Sequence, residues 1–289
     1  MTDNPFVAHR RLLFTVAYEM LGSAADAEDV VQETWLRWAD VDQAQIRDPR
    51  AYLVRIVTRQ ALNRLRSLAR RREDYFGEWL PEPLLTSPDV AEDVELAESV
   101  SIAMLTVLET LGPAERAVFV LHEVFDTPYG EIAAALGKTP ASVRQIAHRA
   151  REHVAARRPR MEVDQAEQQQ VVERFLAALT SGDLPGLLKV LAPDVVLVAD
   201  GGGLVKAARR PIVGAGKVGA FLMNHARLSV DLQAVPMWLN GTAGARIDVD
   251  GALASAVGVA VEDGRITRLY AIRNPHKLGR LEDQAELAR

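Results

Sequence analysis

The stretch PYGEIAAALGKTPASVRQIAHRAREHV, residues 128–154, has the spacing of a helix-turn-helix. A short first helix is predicted with Ile132 packed inward, and Gly137 suits the turn that ends it. Thr139 and Pro140 are typical of the N-cap and first position of a second helix. The segment therefore predicts an element that enters a DNA groove.

The second helix divides into an apolar face and a polar face. The apolar residues expected to pack inward are Val143, Ile146, Ala147, Ala150 and Val154. On the polar face, Arg144 and Gln145 can make bidentate contacts with base edges, whereas Arg149 and Arg151 are better placed for phosphates. His148 is either a further contact or an ordinary surface residue.

Length and composition bound the remaining possibilities. The 289 residues exceed one average domain, so two or three compact units are expected. No apolar run approaches the roughly 20 residues that span a bilayer, and the N-terminus lacks a secretory signal. The absence of cysteine fits a reducing cytoplasm. The six histidines are scattered, so we expect neither a metal site nor a cofactor.

The net charge of −5 conceals a strong local segregation of charge. Residues 50–72 carry eight arginines and no acid, whereas 73–98 carry nine acids and no base. A second basic stretch covers 128–160. This pattern indicates two phosphate-contacting surfaces separated by an acidic linker.

A helix is predicted from Pro49, with Asp48 as its N-cap. Its apolar side comprises Leu53, Val57, Ala61, Leu65 and Leu68. Its polar side comprises Arg55, Arg59, Arg66 and Arg70, with Asn63 nearby. Like charges without interspersed acids repel one another, so phosphate is the expected partner, against the alternative of a solvated face. Tyr52 lies on the arginine side, either as a stacking partner for a base or as a packed residue.

Residues 26–38, DAEDVVQETWLRW, also read as a helix. Ala27, Val31, Thr34 and Trp38 share one face. The opposite stripe consists of Asp29, Gln32, Glu33 and Leu36. A solvated face explains the acids but not the leucine, which favours a partner-binding surface.

The C-terminal residues 165–280 predict an α+β unit. Two helices broken at 181–183 precede a strand, and a further helix follows near 214–226. Asn240-Gly241, Asp250-Gly251 and Asp263-Gly264 favour tight hairpins between the later strands. Helices followed by an antiparallel meander indicate a curved sheet closed by helices.

The acidic linker contains GEWLPEPL, residues 77–84. Trp79 and Leu80 offer apolar anchors, and Pro81 and Pro83 hold the chain extended. We therefore expect the C-terminal unit to grip this segment near Asp200, against the alternative of an untethered solvated linker.

The sequence DGGG, residues 200–203, is not a phosphate loop, because it lacks the lysine and hydroxyl that follow the glycines there. Its glycines permit positive φ and close approach to another segment. Asp200 could act as a general base with His225 or Asp248, but no spacing brings them together. An enzyme is therefore not expected.

Residues 6–156 resemble the extracytoplasmic-function (ECF) sigma factors of the sigma-70 family. DAEDVVQETWLRW and YLVRIVTRQALNRLR resemble region 2, and LGPAERAVFVLHEVF with the helix-turn-helix resembles region 4. The resemblance implies that Asp29, Gln32, Glu33 and Leu36 dock on the β′ clamp helices of core RNA polymerase, with the β flap as a second contact. It also implies that the arginine helix opens the −10 element and that residues 140–154 read the −35 element. Asn63 stands where these proteins often have aspartate.

Further phrases resemble the sigma factors that carry a fused SnoaL-like, ketosteroid-isomerase-like cone: GEWLPEPL, VADGGGLVKAARRPIVG, WLNG and NPHKL. In that group the cone replaces a separate anti-sigma factor. The implied regulatory residues are Trp79, Leu80, Pro81, Glu82, Pro83, Asp200, Gly201, Gly202, Gly203, Asn274, Pro275 and Lys277. NPHKL differs from the usual NPDKL at His276.

The expected organisation is therefore two all-α sigma modules followed by an α+β cone. The ranges are 1–72 (region 2), 73–98 (linker), 99–158 (region 4), 165–280 (cone) and 281–289 (tail). The predicted function is a sigma factor modulated in cis, with core RNA polymerase, promoter DNA and an unidentified small ligand of the cone as partners. A stand-alone helix-turn-helix regulator with a ligand-sensing domain is the alternative, and a fused isomerase or hydrolase ranks third.

Overall fold

The computed structural model describes residues 4–72, 75–157, 165–228 and 231–289. These residues fold into two compact units. The helical unit comprises 4–72, 105–157 and 286–289, and the cone unit comprises 75–104, 165–228 and 231–285. The described part of the linker, 75–98, thus belongs to the cone unit.

The helices and strands that the sequence analysis predicts occur in the predicted order. The helices are α1 (Pro5–Leu21), α2 (Ala24–Ala39), α3 (Pro49–Arg72), α4 (Pro88–Glu92), α5 (Val94–Val100), α6 (Ile102–Leu108), α7 (Pro113–Phe119), α8 (Tyr129–Leu136), α9 (Pro140–Ala155), α10 (Gln165–Ser181), α11 (Leu184–Val190), α12 (Ala215–Arg227) and α13 (Pro275–Leu278). The strands are β1 (Leu191–Asp200), β2 (Ile212–Val213), β3 (Leu232–Leu239), β4 (Thr242–Val249), β5 (Ala252–Glu262) and β6 (Arg265–Ile272). A 3₁₀ turn, Gln43–Gln45, precedes α3, and a π-helical turn, Val120–Val124, follows α7. The structure adds α1, α4 and α5 to the predicted helices.

The helices of the first module begin where local signals place them. The Asp48 carboxylate accepts the Ala51 N–H at 3.0 Å, which caps α3 ahead of Pro49. The predicted inward faces are buried, with Leu68 at the end of the stripe only partly so. The fully buried members are Ala27, Val31, Thr34 and Trp38 on α2 and Leu53, Val57, Ala61 and Leu65 on α3.

The helix-turn-helix is present as predicted. Gly137 ends α8 with φ at 65°, and Thr139 Oγ1 accepts the Ser142 N–H at 3.2 Å to cap α9. The inward residues of α9 are all buried: Val143, Ile146, Ala147, Ala150 and Val154. The opposite side of α9 is thereby left at the surface.

A buried charged contact joins α7 to α1 within the helical unit. The Arg116 guanidinium is 1% exposed and donates to the Glu19 carbonyl at 2.9 Å and to the Glu109 carboxylate. Burial lowers the pKa of this guanidinium to about 9. Because α1 belongs to the first module and α7 to the second, this contact holds the two modules together.

The cone unit is built on a six-stranded sheet of order β2-β1-β6-β5-β4-β3. β1 and β6 are parallel, and the other neighbouring pairs are antiparallel. The three predicted hairpins are confirmed, since both residues of each dipeptide have positive φ, as type I′ turns require. Helices packed on a curved antiparallel meander form the predicted α+β cone.

The two faces of this sheet carry different cores. One face packs against α10, α11 and α12 and includes Leu269 of β6. The other face packs Tyr270 of β6 against Leu80 of the linker and Ile102 at the start of α6. Successive side chains of a strand point to opposite faces, so β6 contributes to both cores. The linker is therefore part of the cone unit's hydrophobic interior.

Candidate functional site

The residues of α9 that are predicted to contact the −35 element lie on its outward face. All five are exposed: Arg144, Gln145, His148, Arg149 and Arg151. Three of them have side-chain partners within the helical unit. Arg149 lies 3.7 Å from Glu115, and His148 lies 3.6 Å from Glu152 on the same helix. Arg151 donates to Glu123 at 3.1 Å and to the Tyr129 hydroxyl at 3.3 Å, and these bonds raise its pKa.

Arg144 and Gln145 differ from their neighbours on α9. Among the residues that the structure describes, no hydrogen bond or ion pair engages either side chain. Both lie in the N-terminal half of a helix whose other side is buried. They are the two side chains of this face that a base edge would meet without displacing a partner.

The polar side of α3 is also exposed. Arg55, Arg59, Asn63 and Arg66 lie at the surface, and none of the described acidic residues forms an ion pair with these arginines. Tyr52 is half-buried, with its ring centroid 5.9 Å from that of Trp38 and 5.2 Å from the Arg55 guanidinium. Of the two uses anticipated for Tyr52, the structure shows packing, and stacking on a base stays a prediction.

The acidic stripe of α2 is exposed along its length. Asp29, Gln32, Glu33 and Leu36 are at the surface, and Leu36 is 62% exposed. Two acids also have partners on α3: Asp29 accepts from Arg64 at 2.9 Å, and Glu33 accepts from Gln60 at 2.8 Å. The stripe combines negative charge with an exposed apolar side chain, as a protein-binding surface does.

The most tightly connected site lies in the cone unit at the end of β1. The Asp200 carboxylate is completely buried and accepts four hydrogen bonds. Their donors are the Tyr75 hydroxyl at 2.6 Å, the Leu80 N–H at 3.0 Å, the Gly202 N–H at 3.0 Å and Lys277 Nζ at 2.7 Å. Two of the four donors come from the linker. We call Asp200, Lys277, Asn274 and their linker partners the linker clamp.

Lys277 neutralises the charge of the Asp200 carboxylate in the linker clamp. Its ammonium donates to the Leu80 carbonyl as well as to Asp200. It also lies 4.0 Å from the ring centroid of Trp79 and 5.2 Å from that of Tyr75. A buried ammonium is tolerated here because a carboxylate, a carbonyl and two aromatic faces surround it.

The Tyr75 hydroxyl links the linker to a second cone residue. It donates to Asp200 and accepts from Asn274 Nδ2 at 2.9 Å. Burial, and then the hydrogen bond to Asp200, raise the Tyr75 pKa well above its usual value. The hydroxyl therefore remains protonated and able to donate.

The glycines after Asp200 make the close approaches that the sequence predicts. Gly202 has φ at 60°, and a Cβ there would lie 2.4 Å from Asn274 Nδ2. Gly203 has φ at 74°, and its Cβ would lie 3.2 Å from Phe76 Cβ. A Cβ on Gly201 would lie 2.5 Å from the Val205 carbonyl oxygen. Side chains at 201 and 202 would thus displace neighbouring atoms.

The Asn240-Gly241 turn forms a further contact with the linker that the sequence analysis does not predict. Asn240 exchanges two bonds with Leu84: its N–H donates to the Leu84 carbonyl, and its Oδ1 accepts the Leu84 N–H, both at 2.9 Å. Asn240 Nδ2 donates to the Val100 carbonyl at 2.8 Å, and Gly241 N–H donates to Thr86 Oγ1 at 3.0 Å. The WLNG phrase, which contains this turn, is the signal that could have indicated it.

The other predicted linker and cone residues are placed as follows. Leu80, Pro81, Glu82 and Pro83 are buried, and Trp79 is half-buried. Glu82 lies 4.0 Å from Arg280. Pro275 and His276 are exposed, so the departure from NPDKL falls outside the buried contacts of Asn274 and Lys277.

The three candidate catalytic residues do not meet. Asp200 is engaged by the linker, Asp248 pairs with Arg246 at 2.8 Å, and His225 Nδ1 donates to the Phe221 carbonyl at 2.9 Å. His225 lines a cavity on the helix-covered side of the sheet, whereas Asp200 binds the linker on the other side. Within the described part of the chain, no cluster of three metal-ligating side chains occurs.

Comparisons with known proteins agree with this architecture. Residues 6–71 match sigma-70 region 2, and residues 101–154 match sigma-70 region 4. ECF RNA polymerase sigma factor SigJ of Mycobacterium tuberculosis H37Rv is 40% identical, covering 96% of this chain and 93% of SigJ. The chain therefore belongs to the ECF RNA polymerase sigma factors.

One further relative and one solved structure show the same similarity over nearly the whole chain. The probable ECF RNA polymerase sigma factor SigI of M. tuberculosis CDC 1551 is 36% identical over 97% of this chain and 95% of SigI. The crystal structure of M. tuberculosis SigJ superposes with a TM-score of 0.77 at 37% identity, covering 96% of this chain and 98% of that structure. No helix in the described residues is long and apolar enough to cross a membrane.

Proposed function

We propose that this sigma factor directs core RNA polymerase to promoters through two cationic helix faces, and that its cone unit regulates this activity in cis by holding the linker. The observation that carries the regulatory part is the linker clamp. One buried carboxylate, Asp200, holds the linker at both Tyr75 and Leu80.

The α2 stripe is the proposed contact with the polymerase β′ clamp helices. Asp29, Gln32, Glu33 and Leu36 are exposed together on one side of a helix whose other side is buried. Exposed acids around a 62% exposed leucine provide charge for steering and an apolar contact for affinity. Region 4 is the proposed partner of the β flap.

The polar side of α3 is the proposed −10 surface. Arg55, Arg59 and Arg66 lack acidic partners among the described residues, so phosphates can neutralise them without breaking an ion pair. Asn63 lies among them. Tyr52, with Arg55 over its ring, offers a stacking platform for an unpaired base.

The outward face of α9 is the proposed −35 surface. Arg144 and Gln145 are assigned to base edges because both are exposed and unengaged within the described chain. Arg149 and Arg151 are assigned to phosphates, which tolerate arginines already oriented by Glu115 and Glu123. His148 is an additional contact on the same face.

The linker clamp is the proposed regulatory device. The linker follows α3 directly in sequence and leads towards α6, so holding it restricts the chain between the −10 and −35 modules. A regulator built into the same chain requires no separate anti-sigma factor. We place the protein in the cytoplasm, where bacterial RNA polymerase works.

The cone unit is proposed to act as a regulatory module and not as an enzyme. Its buried carboxylate, Asp200, already accepts four hydrogen bonds, so it is not available as a base. The rival function, a stand-alone helix-turn-helix regulator, predicts promoter binding without polymerase. A gel shift with and without core enzyme separates the two.

Run-off transcription with purified core polymerase tests the regulatory proposal. Tyr75→Phe keeps the ring and removes a hydrogen bond to a carboxylate, which should shift the released fraction of linker about tenfold. Transcript yield should therefore differ from the wild type. Glu78→Gln, in the same segment but outside the described contacts, is the matched control. Equal yields from Tyr75→Phe, Trp79→Ala and wild type would refute regulation through the linker.

A further inference from the structure

The cone unit contains a cavity of about 500 Å³ between its helices and the sheet. Its walls are largely apolar and include Phe175, Leu197, Phe221, Leu222, Ile247 and Val257. This size and composition are typical of small-molecule sites. The cavity belongs to the larger core and lies on the sheet face opposite the linker.

The polar groups of the cavity are cationic or neutral. They are Lys206, His225, Ser255 and Arg273, and no aspartate or glutamate lines the cavity among the described residues. A mostly apolar wall excludes a highly polar ligand, and cationic groups without an acid favour a negative one. The lining therefore selects for a molecule with an apolar body and an acidic end.

Arg273 is the anchor that this ligand would meet. Its side chain is partly buried and donates to the Lys206 carbonyl at 2.5 Å, and burial lowers its pKa. No described carboxylate forms an ion pair with Arg273 or with the exposed Lys206. A guanidinium has five N–H donors in a fork that fits a carboxylate or sulfonate, so one carbonyl leaves most of its capacity unused.

We propose that this cavity binds an organic anion with an apolar body, whose acidic group contacts Arg273 and Lys206. His225 and Ser255 are the other polar side chains of the same lining. The apolar portion of the ligand fills the space between α10, α12 and the sheet.

The chain connects this cavity directly to the linker clamp. Arg273 follows β6, its N–H donates to the Asp200 carbonyl at 2.7 Å, and the next residue, Asn274, holds Tyr75. Lys206 lies in the loop that follows Asp200. Ligand occupancy is therefore transmitted to the linker, a step that rests on the proposed regulatory function, whereas ligand binding itself does not.

Calorimetric titration of the full-length chain tests the site without polymerase or promoter. The ligands are decanoate and, matched to it in chain length, decanol and decyltrimethylammonium, all below their micellar concentrations. Decanoate should bind with a negative heat-capacity change, because apolar surface is buried. Decanol should bind about tenfold or more weakly and the cation more weakly still, because charge-assisted bonds are lost.

Substitutions assign the charge preference to the named groups. Arg273→Gln and Lys206→Gln should each weaken decanoate binding about tenfold, while Arg265→Gln, at the exposed arginine that begins β6, should not. If Arg273→Gln does not fold, Lys206→Gln carries the test, since Lys206 is exposed. Equal binding of decanoate and decanol, or binding unchanged by both substitutions, would overturn the proposed site.

Hydrogen exchange distinguishes the coupling from the site. Saturating decanoate should change amide exchange in residues 78–86 of wild type but not of Arg273→Gln. Unchanged exchange beside normal decanoate binding would overturn the coupling alone. If the wild-type chain does not bind decanoate but Tyr75→Phe still alters transcription, the ligand site is overturned and the regulatory proposal stays intact.

Discussion

The arginine face of α3 and the linker clamp use charged side chains in opposite ways. On α3, exposed arginines lie together without an acidic partner among the described residues. In the linker clamp, Asp200 and Lys277 are buried and are surrounded by donors, acceptors and aromatic rings. Exposed cationic side chains that lack acidic partners can bind a polyanion. Buried, paired charges instead hold one segment of the chain against another. Burial and pairing, more than charge alone, therefore distinguish a contact that holds two segments of the chain together from a surface that can bind another molecule.

The largest expected effect is the loss of the Asp200 carboxylate. Asp200→Ala leaves Lys277 buried without its counter-ion, which should destabilise the cone unit by about 3–5 kcal/mol. Urea-induced unfolding of the full chain measures the change. Asp194→Ala, an exposed aspartate on the same strand, is the control and should alter stability by less than about 0.5 kcal/mol. Equal effects would mean that the buried pair has no special role.

A somewhat smaller effect is expected at the glycine beside that carboxylate. Gly202→Ala introduces a non-glycine residue at φ 60° and a Cβ within 2.4 Å of Asn274 Nδ2, at a cost of roughly 1–3 kcal/mol. Gly216→Ala, inside α12 with open space around it, should stabilise by up to about 1 kcal/mol. Thermal unfolding of both variants measures the difference, and a neutral Gly202→Ala would contradict the close approach.

On the exposed side of the comparison, Arg144→Ala should reduce discrimination at the −35 element by about 1–3 kcal/mol if its guanidinium reads a base. Arg149→Ala should instead weaken binding equally on all sequences, as a phosphate contact does. Competition binding of the reconstituted holoenzyme to promoters with substituted −35 elements measures both. A uniform loss from Arg144→Ala would reassign it to phosphate.

The smallest expected effect concerns a single phosphate contact. Arg59→Gln should lower the slope of log affinity against log salt concentration by about 0.9 or slightly less. Arg64→Gln is the matched control on the same helix, because Arg64 already pairs with Asp26 and Asp29. Promoter binding by the holoenzyme across a salt series gives both slopes. Equal reductions of the slope would show that the ion pairs of Arg64 do not prevent it from contacting a phosphate as Arg59 does.

Local patterns in the sequence were sufficient to predict the helices α2, α3, α8 and α9, the buried faces of α2, α3 and α9, and the three hairpins. The Thr139-Pro140 start of α9 depends on neighbouring residues alone. The Asn240-Gly241 turn does so too, because both residues accept positive φ. The exposed arginine faces follow from periodicity for the same reason.

Contacts between distant residues could not be predicted in the same way. The Tyr75 hydroxyl meets a carboxylate 125 positions along the chain, and Leu84 meets an asparagine side chain 156 positions away. Which donors surround Asp200 depends on how the linker packs on the sheet, and no local pattern encodes that. The quoted motifs indicated that these segments matter, while the roles of Tyr75 and Asn240 required the fold.

The buried Arg116 gives the helical unit an interface of a particular kind. A guanidinium excluded from water is poorly solvated, and hydration becomes available to it as soon as α1 and α7 separate. Part of the free energy lost in breaking the contact is thereby recovered from the solvent. A purely aliphatic contact between α1 and α7 would gain no comparable hydration free energy on separating. The two helical modules are thus joined by a contact suited to parting and rejoining, which the proposed binding of regions 2 and 4 at separate places on the polymerase would require.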